Sequence, residues 1–257
     1  MTTALLLRLA RQEFTDRYAG SVLGVIWAVM HPLLLVAVFF VIFAQIMGAR
    51  LPGMDDAQGY GVYLIAGLLP WIAFSGVISR STQILHQRRD ILGRVRLPLI
   101  VPPICVLLGE TVTFAIGIAV FALALAITGY PVATGALVLL PLVFIFQQAL
   151  AFGIGLLLGA LNVFLKDIQE FVSVLLMVWF WGTPIVWVLD IVPEAVAGAQ
   201  FAVNPAFWFI QAWQSIIAFG EAPDAGLLLR LAIVATVAVA VALIVLRGGE
   251  RVLRDYL

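Results

Sequence analysis

Residues 136–160 read ALVLLPLVFIFQQALAFGIGLLLGA, a stretch with no Asp, Glu, Lys or Arg anywhere along it. A hydrocarbon core about 30 Å thick needs about 20 apolar residues wound as a helix, and this run suffices. Four others, 22–47, 60–79, 99–127 and 227–246, are comparably apolar, and 171–189 is shorter but uncharged. Composition agrees: 64% of the 257 residues are hydrophobic and 11% charged, with a mean hydropathy of +1.15. A soluble domain is about a quarter charged, because it must coat its surface with polar groups. The sequence therefore predicts an all-α integral membrane protein of six transmembrane helices. Helix is favoured because lipid offers no partner to a backbone amide, and a barrel would need short segments of alternating polarity.

Net charge is zero and says nothing about nucleic-acid or acidic partners, and no nucleic-acid partner is expected; the distribution of charge is what orients the chain. With the N-terminus in the cytoplasm, the inner segments are 1–21, 80–98, 161–170 and 247–257. They hold Arg8, Arg11, Arg17, Arg80, Arg88, Arg89, Arg94, Arg96, Lys166, Arg247, Arg251 and Arg254, leaving only Arg50 and Arg230 elsewhere. Asp55, Asp56, Asp190, Glu194, Glu221 and Asp224 fall on the other side. Short inner loops retain basic residues, so both termini are expected inside. The first apolar run is too long for a signal peptide's core, so no cleavable leader is expected. Cys105 is the sole cysteine, which leaves no internal disulfide.

Three shorter features complete the organisation. Leu7, Ala10, Phe14 and Tyr18 share a helical face within 1–21, which suits an amphipathic helix on the inner membrane surface. Residues 206–219 are too short to cross, follow the Asn204-Pro205 break and contain Gln211, Gln214 and Ser215. They predict a re-entrant hairpin over 193–220. The inner segment 81–96 contains Ile84, Leu85, Ile91, Leu92 and Val95 among its charges and reads as a short helix with an exit at Gly93. It is either a positive-inside loop touching lipid or a docking helix for a cytoplasmic partner.

Catalytic templates are missing. His31 and His86 belong to no H-E-x-x-H pair, there is no G-x-S-x-G, and Lys166 lacks the glycine of a P-loop. No metal site and no cofactor are expected in this chain, and it is not expected to be an enzyme; energy for uphill transport would come from a partner or an ion gradient.

Several motifs occur in order along the chain. Lys166-Asp167-Ile168 leads into an aromatic-rich helix and Trp181-Gly-Thr-Pro-Ile185. Phe14 to Trp27 form a basic, aromatic opening that ends in Leu23-Gly24 and Trp27, followed by His31-Pro32, and Asn204-Pro205 comes after the fifth span. This series resembles the permeases of type 2 ABC exporters, in the branch that exports polysaccharides. Two departures stand out: Lys166 replaces the usual Arg, keeping charge but losing bidentate geometry, and His31 replaces a more usual polar or acidic residue. The resemblance implies a homodimer paired with two copies of a separate cytoplasmic ATPase, which would bind the ATP and magnesium. It also implies membrane lipid as partner and a lipid-linked glycan as cargo, most notably O antigen, with capsule and teichoic acid in the same class. Its setting would be the bacterial inner membrane.

In that frame 81–96 and 161–170 would be coupling helices, with His86, Arg88, Arg89, Asp90, Lys166, Asp167 and Glu170 facing the ATPase. Arg8, Arg11, Arg17, Tyr18 and Trp27 would receive the lipid head, and Glu110, Gln147, Gln148, Trp179 and Trp181 would lie along the pathway. Asn204, Pro205, Trp208 and Trp213 would belong to the external gate. Plainer readings stand beside these. A protonated Glu110 bonding a neighbouring helix fits as well as one facing a pathway. Trp187 and Trp208 suit an interfacial belt, Arg230 suits snorkelling or a pair with Glu221 or Asp224, and Gly155 and Gly159 suit close helix packing. Pro32, Pro70, Pro141 and Pro184 interrupt spans. Rival functions are a type 2 exporter of drugs or lipo-oligosaccharide, a membrane-embedded lipid or sugar transferase using Glu110, Asp167 or Asp55-Asp56, and a proton-driven carrier using Glu110.

Topology gives the first test. Cysteines placed at 89 and 166 should react with a membrane-impermeant thiol reagent only from the cytoplasmic side, and one at 55 only from outside. Labelling of 89 or 166 from outside would overturn the orientation.

Overall fold

A computed structural model describes residues 3–16, 20–27, 30, 33–34, 37–38, 41–42, 46, 57–94, 97–189 and 192–256. These are all-helical, without a strand among them. The helices are α1 (Thr3–Asp16), α2 (Ala57–Gln87), α3 (Arg89–Arg94), α4 (Val101–Thr128), α5 (Leu140–Phe164), α6 (Ile168–Gly182), α7 (Glu194–Val203), α8 (Pro205–Gln214) and α9 (Ala225–Tyr256). Four helical segments among the described residues, Gly59–Gln87, Val101–Thr128, Leu137–Phe164 and Ala225–Tyr256, are long and apolar enough to cross a membrane. Of the expected span 22–47 only part is described, including a 3-10 turn at Gly24–Ile26. Arg17, Tyr18, His31, Pro32, Arg50, Asp55, Asp56, Val95, Arg96 and Asp190 lie outside the described residues.

α2 is the central element. Leu64, Phe74, Val77, Ile78 and Leu85 on it are all but inaccessible, and α4, α5, α6 and α8 pack around it. α5 lies between α2 and α9. Its glycines explain how closely: a Cβ on Gly159 would sit 2.5 Å from the Ser81 carbonyl oxygen, one on Gly155 2.8 Å from the Ser81 Cβ, and one on Gly153 2.6 Å from the Ala238 backbone. Small residues let helix backbones approach where burial from water supplies no drive, so dispersion contacts hold these three helices together. Pro70 sits inside α2, and the Gln147 amide donates to its carbonyl oxygen at 3.0 Å. The outward faces of α4, α6 and α9 carry exposed Leu123, Ile127, Val174, Val178, Ile233 and Ile244, the side chains a hydrocarbon surround would cover.

Three expected elements run differently. The span expected at 171–189 is helical only over Ile168–Gly182, because the residue before a proline avoids the α region: Thr183 is extended (φ −104°, ψ 137°) ahead of Pro184. The chain from Thr183 to Trp187 then runs irregularly through the interior, with Thr183, Ile185 and Val186 buried. The carbonyls from Trp179, in the last turn of α6, to Trp187 are matched almost one by one. The Thr183 hydroxyl donates to Trp179, the Trp187 indole to Trp181 and the Gln200 amide to Gly182. The Tyr63 hydroxyl and the Gln214 amide donate to Pro184, Tyr60 to Val186 and Tyr63 also to Trp187, at 2.6–3.4 Å. A Cβ on Gly67 would meet the Gln214 amide nitrogen at 2.7 Å, so that glycine gives Gln214 its room.

The segment 81–96 is not one helix: 81–87 continue α2, the helix breaks at Arg88, and only Arg89–Arg94 form a separate short helix. Nor is 161–170 a helix of its own. Its first residues close α5, Leu165 is extended (φ −128°, ψ 100°), and Ile168 already belongs to α6, so the feature is a tight turn. The region 193–220 holds two short helices, with α7 lying exposed and α8 almost wholly buried. A π turn, Ser215–Phe219, follows and ends at Gly220, whose φ of +70° suits glycine.

Gly159→Ala tests the close packing. A methyl group against the Ser81 carbonyl should cost about 1–3 kcal/mol, read as a lowered melting temperature in detergent. An unchanged melting temperature would show that α2 and α5 separate easily.

Candidate functional site

The basic segments come together at one end of the molecule. α1 lays Ala10 against Val101 and Cys105 at the start of α4, with Leu6 and Leu9 beside them, and Phe14 reaches Gly109, where a Cβ would lie 3.7 Å from its ring. The amphipathic helix thus spends this apolar side on α4, while Arg8 and Arg11 point outward and are exposed. Arg88, in the break between α2 and α3, closes the arrangement: its Nη2 donates to Glu13 at 2.6 Å and to Asp16 at 2.9 Å. The Asp16 hydrogen bond first, and Glu13 after it, push the guanidinium above its already high pKa against a partly offsetting burial, so it stays charged at any working pH. A partly exposed ion cluster of this kind contributes about 1 kcal/mol, enough to fix geometry more than stability. A small cleft of about 80 Å³ lies under the cluster, lined among others by Leu9, Glu13, Arg88, Leu92 and Cys105.

Several other charges at this end are exposed. Arg89, Asp90 and Arg94 are exposed on α3, with Arg89 and Asp90 a loose 4.0 Å apart, and Lys166, Asp167 and Glu170 are exposed at the turn into α6. Asp167 occupies the position before the first turn of α6, where a carboxylate commonly caps the helix, yet its side chain makes no capping bond. His86 is half-buried in the last turn of α2. Two turns bearing charges of both signs are therefore presented side by side, one fed by α2 and the other by α5, the pair packed backbone to backbone at Ser81.

The residues singled out for the pathway are scattered. Glu110 is buried on α4 and pairs with Arg80 of α2, Nε to Oε1, at 2.7 Å; a Cβ on Gly76 would meet its carboxylate at 2.7 Å, so this glycine gives the carboxylate passage. Arg80 remains about half exposed. Gln147 is inaccessible within the chain, donating to Pro70 and accepting from the Trp213 indole at 2.9 Å. Gln148 is buried as well, and its amide finds no protein hydrogen-bond partner among the described residues. Trp179 is held edge-on by Trp71 and Phe74, while Trp181 and Trp27 are exposed.

At the far end, Asn204 joins three elements. Its Oδ1 caps α8 by accepting from the Ala206 and Phe207 amides and also accepts from the Trp179 indole at 2.8 Å. Its Nδ2 donates to Thr183 Oγ1 at 3.1 Å and Gln200 Oε1 at 2.7 Å. Pro205 fills the first helical position, where no amide hydrogen is needed. The Trp208 indole donates to the Phe201 carbonyl, which also accepts from Arg230, so Arg230 is tied to α7. The sequence reading missed Arg80 with Glu110, Arg88 with Glu13 and Asp16, and the Thr183–Gln200–Asn204 network. Only the first had a signal, an isolated carboxylate and a basic residue on neighbouring spans.

Asn204→Ala should remove the α8 cap, about 1 kcal/mol, and strand the Trp179 indole, about 1–3 kcal/mol more. Asn204→Asp keeps both acceptor roles and should lose less. Equal melting temperatures for the two variants would show that the cap and the indole bond contribute nothing.

Comparison with known proteins accords with this arrangement. The chain matches the family model described as ABC-2 type transporter over residues 4–218. It is 32% identical over 235 residues to the O-antigen export system permease protein RfbA of Myxococcus xanthus, covering 91% of this chain and 87% of that protein. It is 29% identical over 216 residues to a protein of the same name from Klebsiella pneumoniae, covering 84% and 81%. By the extent of the family match and by these similarities, the chain is a member of the ABC-2 type transporter family, a multi-pass membrane permease.

Proposed function

We propose that this chain is the membrane-spanning subunit of an O-antigen exporter, working as a homodimer in the bacterial inner membrane with two copies of a separate ATPase. The observation that carries this reading is the pair of charged segments, 88–94 and 165–170, at the end of two helices locked together at Gly155 and Gly159. In this reading both termini and both turns face the cytoplasm. ATP-driven closure of the ATPases pushes on Arg89, Asp90, Lys166 and Asp167; the α2–α5 pair transmits the displacement as one body, because interiors packed to this density compress little. The far end answers at the Asn204 network, where α6, α7 and α8 meet and the outer exit opens. Arg8 and Arg11, free on the outer side of α1, suit the anionic head of a lipid-linked glycan. The names of the relatives support the cargo, and the family supports the need for an ATPase.

The fold brings six-helix topology within reach if 22–47 and the segment 168–189 both cross, the second as a helix completed by an irregular stretch. Arg80 then neutralises the buried carboxylate of Glu110 between α2 and α4, which need not carry protons.

Charge reversal at Asp167 or Arg89 tests the coupling. Asp167→Lys should leave insertion and folding intact, since the exposed carboxylate does not cap α6, while surface O antigen in cells falls at least tenfold. Full export with either reversal, alongside normal association with the ATPase, would reject the assignment. Failure of any nucleotide-binding subunit to co-purify in mild detergent would reject the exporter itself.

A further inference from the structure

α9 is longer than a span needs, and its last turns do something the exporter reading leaves unused. Arg254 Nη2 donates to the Leu97 carbonyl at 2.7 Å and Nη1 to the Leu92 carbonyl at 3.5 Å. Its Nε and Nη2 also reach Glu250 Oε1, at 3.1 and 2.9 Å, one turn back on α9. One planar fork therefore holds both flanks of the exit from α3 while its own carboxylate partner keeps it aimed. Leu253, between the two, is 2% exposed. Two residues further on, the Tyr256 ring meets Phe164 edge-on, centroids 5.0 Å apart, on the final turn of α5 just before Lys166-Asp167.

We propose that Arg254 and Tyr256 are positioning residues that yoke the two cytoplasmic turns to one another through the end of α9. This rests on the reading of those turns as the sites where the ATPase pushes. The physical need is plain. α3 has six residues, too few to be stable as a helix alone, and Leu92 lies in its last turn, where carbonyls run out of helical donors. Arg88 ties its start to α1; without Arg254 its exit would be held by the packing of Leu92 and Leu97 without those two directional bonds, and a push on Arg89 or Asp90 would bend the turn more and move α2 less. Tyr256 sets the second turn against the same helix end, so a displacement at either is shared. A guanidinium suits the task because it cannot lose its charge and offers donors in several directions at once; an ammonium keeps the charge and the Glu250 pair but not the two-carbonyl grip.

Spin labels give a readout independent of transport. In a Cys105→Ala background, single cysteines at Arg94 and Leu165, both exposed, carry a nitroxide in the full chain reconstituted in lipid nanodiscs. Arg254→Ala should raise label mobility at 94 far more than at 165, and Tyr256→Ala the reverse, with Arg254→Lys between wild type and Ala at 94. In unlabelled complex with its ATPase, Arg254→Ala should keep ATP hydrolysis within twofold of wild type while export per ATP falls at least fivefold, and Arg254→Lys should restore part of it. Unchanged mobility at 94 in the folded Arg254→Lys and Arg254→Ala proteins, or unchanged export per ATP, would overturn the proposal. Absence of any ATPase beside the wild-type chain would instead sink the exporter reading, and the mobilities, which need no ATP, would still decide whether the clasp exists.

Discussion

A backbone amide or carbonyl without a partner costs several kcal/mol in hydrocarbon, and the rest of this structure is arranged around that constraint. Where the chain stays helical the constraint is met locally. Where Pro184 ends α6 part-way, the freed carbonyls from Trp179 to Trp187 have to be met by side chains from elsewhere. Tyr60 and Tyr63 come from α2, Gln200 from α7 and Gln214 from α8. The break can exist only because it is buried against three other helices, and those helices are in turn placed by it. Asn204 extends the same solution, capping α8 while it holds the Trp179 indole.

The two ends of the molecule solve different problems. The far end is joined by hydrogen bonds between neutral groups, which are short-ranged and directional and so favour a few discrete arrangements. The basic end is joined by ions and by packing: Arg88 to Glu13 and Asp16, Arg254 to the carbonyls around α3, Tyr256 on Phe164. Between them α2, α5 and α9 are packed so tightly at Gly153, Gly155 and Gly159 that a single methyl group would not fit. A rigid middle joining two ends is what long-range transmission requires, since a soft one would absorb the displacement.

Much of this was legible beforehand. The long uncharged runs and the ordered motifs are properties of composition and spacing, and they pointed to helices and to the family. What the sequence could not show for individual residues was partnership. Arg88 looked like a surface charge awaiting an ATPase, yet two carboxylates on α1 occupy it. Gln147 and Trp179 looked like pathway groups because polar and amphipathic side chains within spans invite that reading. Both are satisfied inside the chain, by Pro70 and Trp213 in one case and by Asn204 in the other. The turn at 165–167 resembled a helix because the residues on both sides of it are helical.

By itself the sequence determined that the chain lives in a membrane, which segments are apolar enough to be candidate spans, and which loops are basic, because hydrophobicity and charge act residue by residue and need no knowledge of neighbours. Only the tertiary structure decided where α6 stops being tolerable as helix, which charges are spoken for, and that the last helix clasps both turns. Those outcomes depend on groups far apart in the chain, such as Arg254 and Leu97 or Tyr60 and Val186, meeting at hydrogen-bond distance. Pairing of that kind is set by packing geometry, which no local pattern of residues encodes.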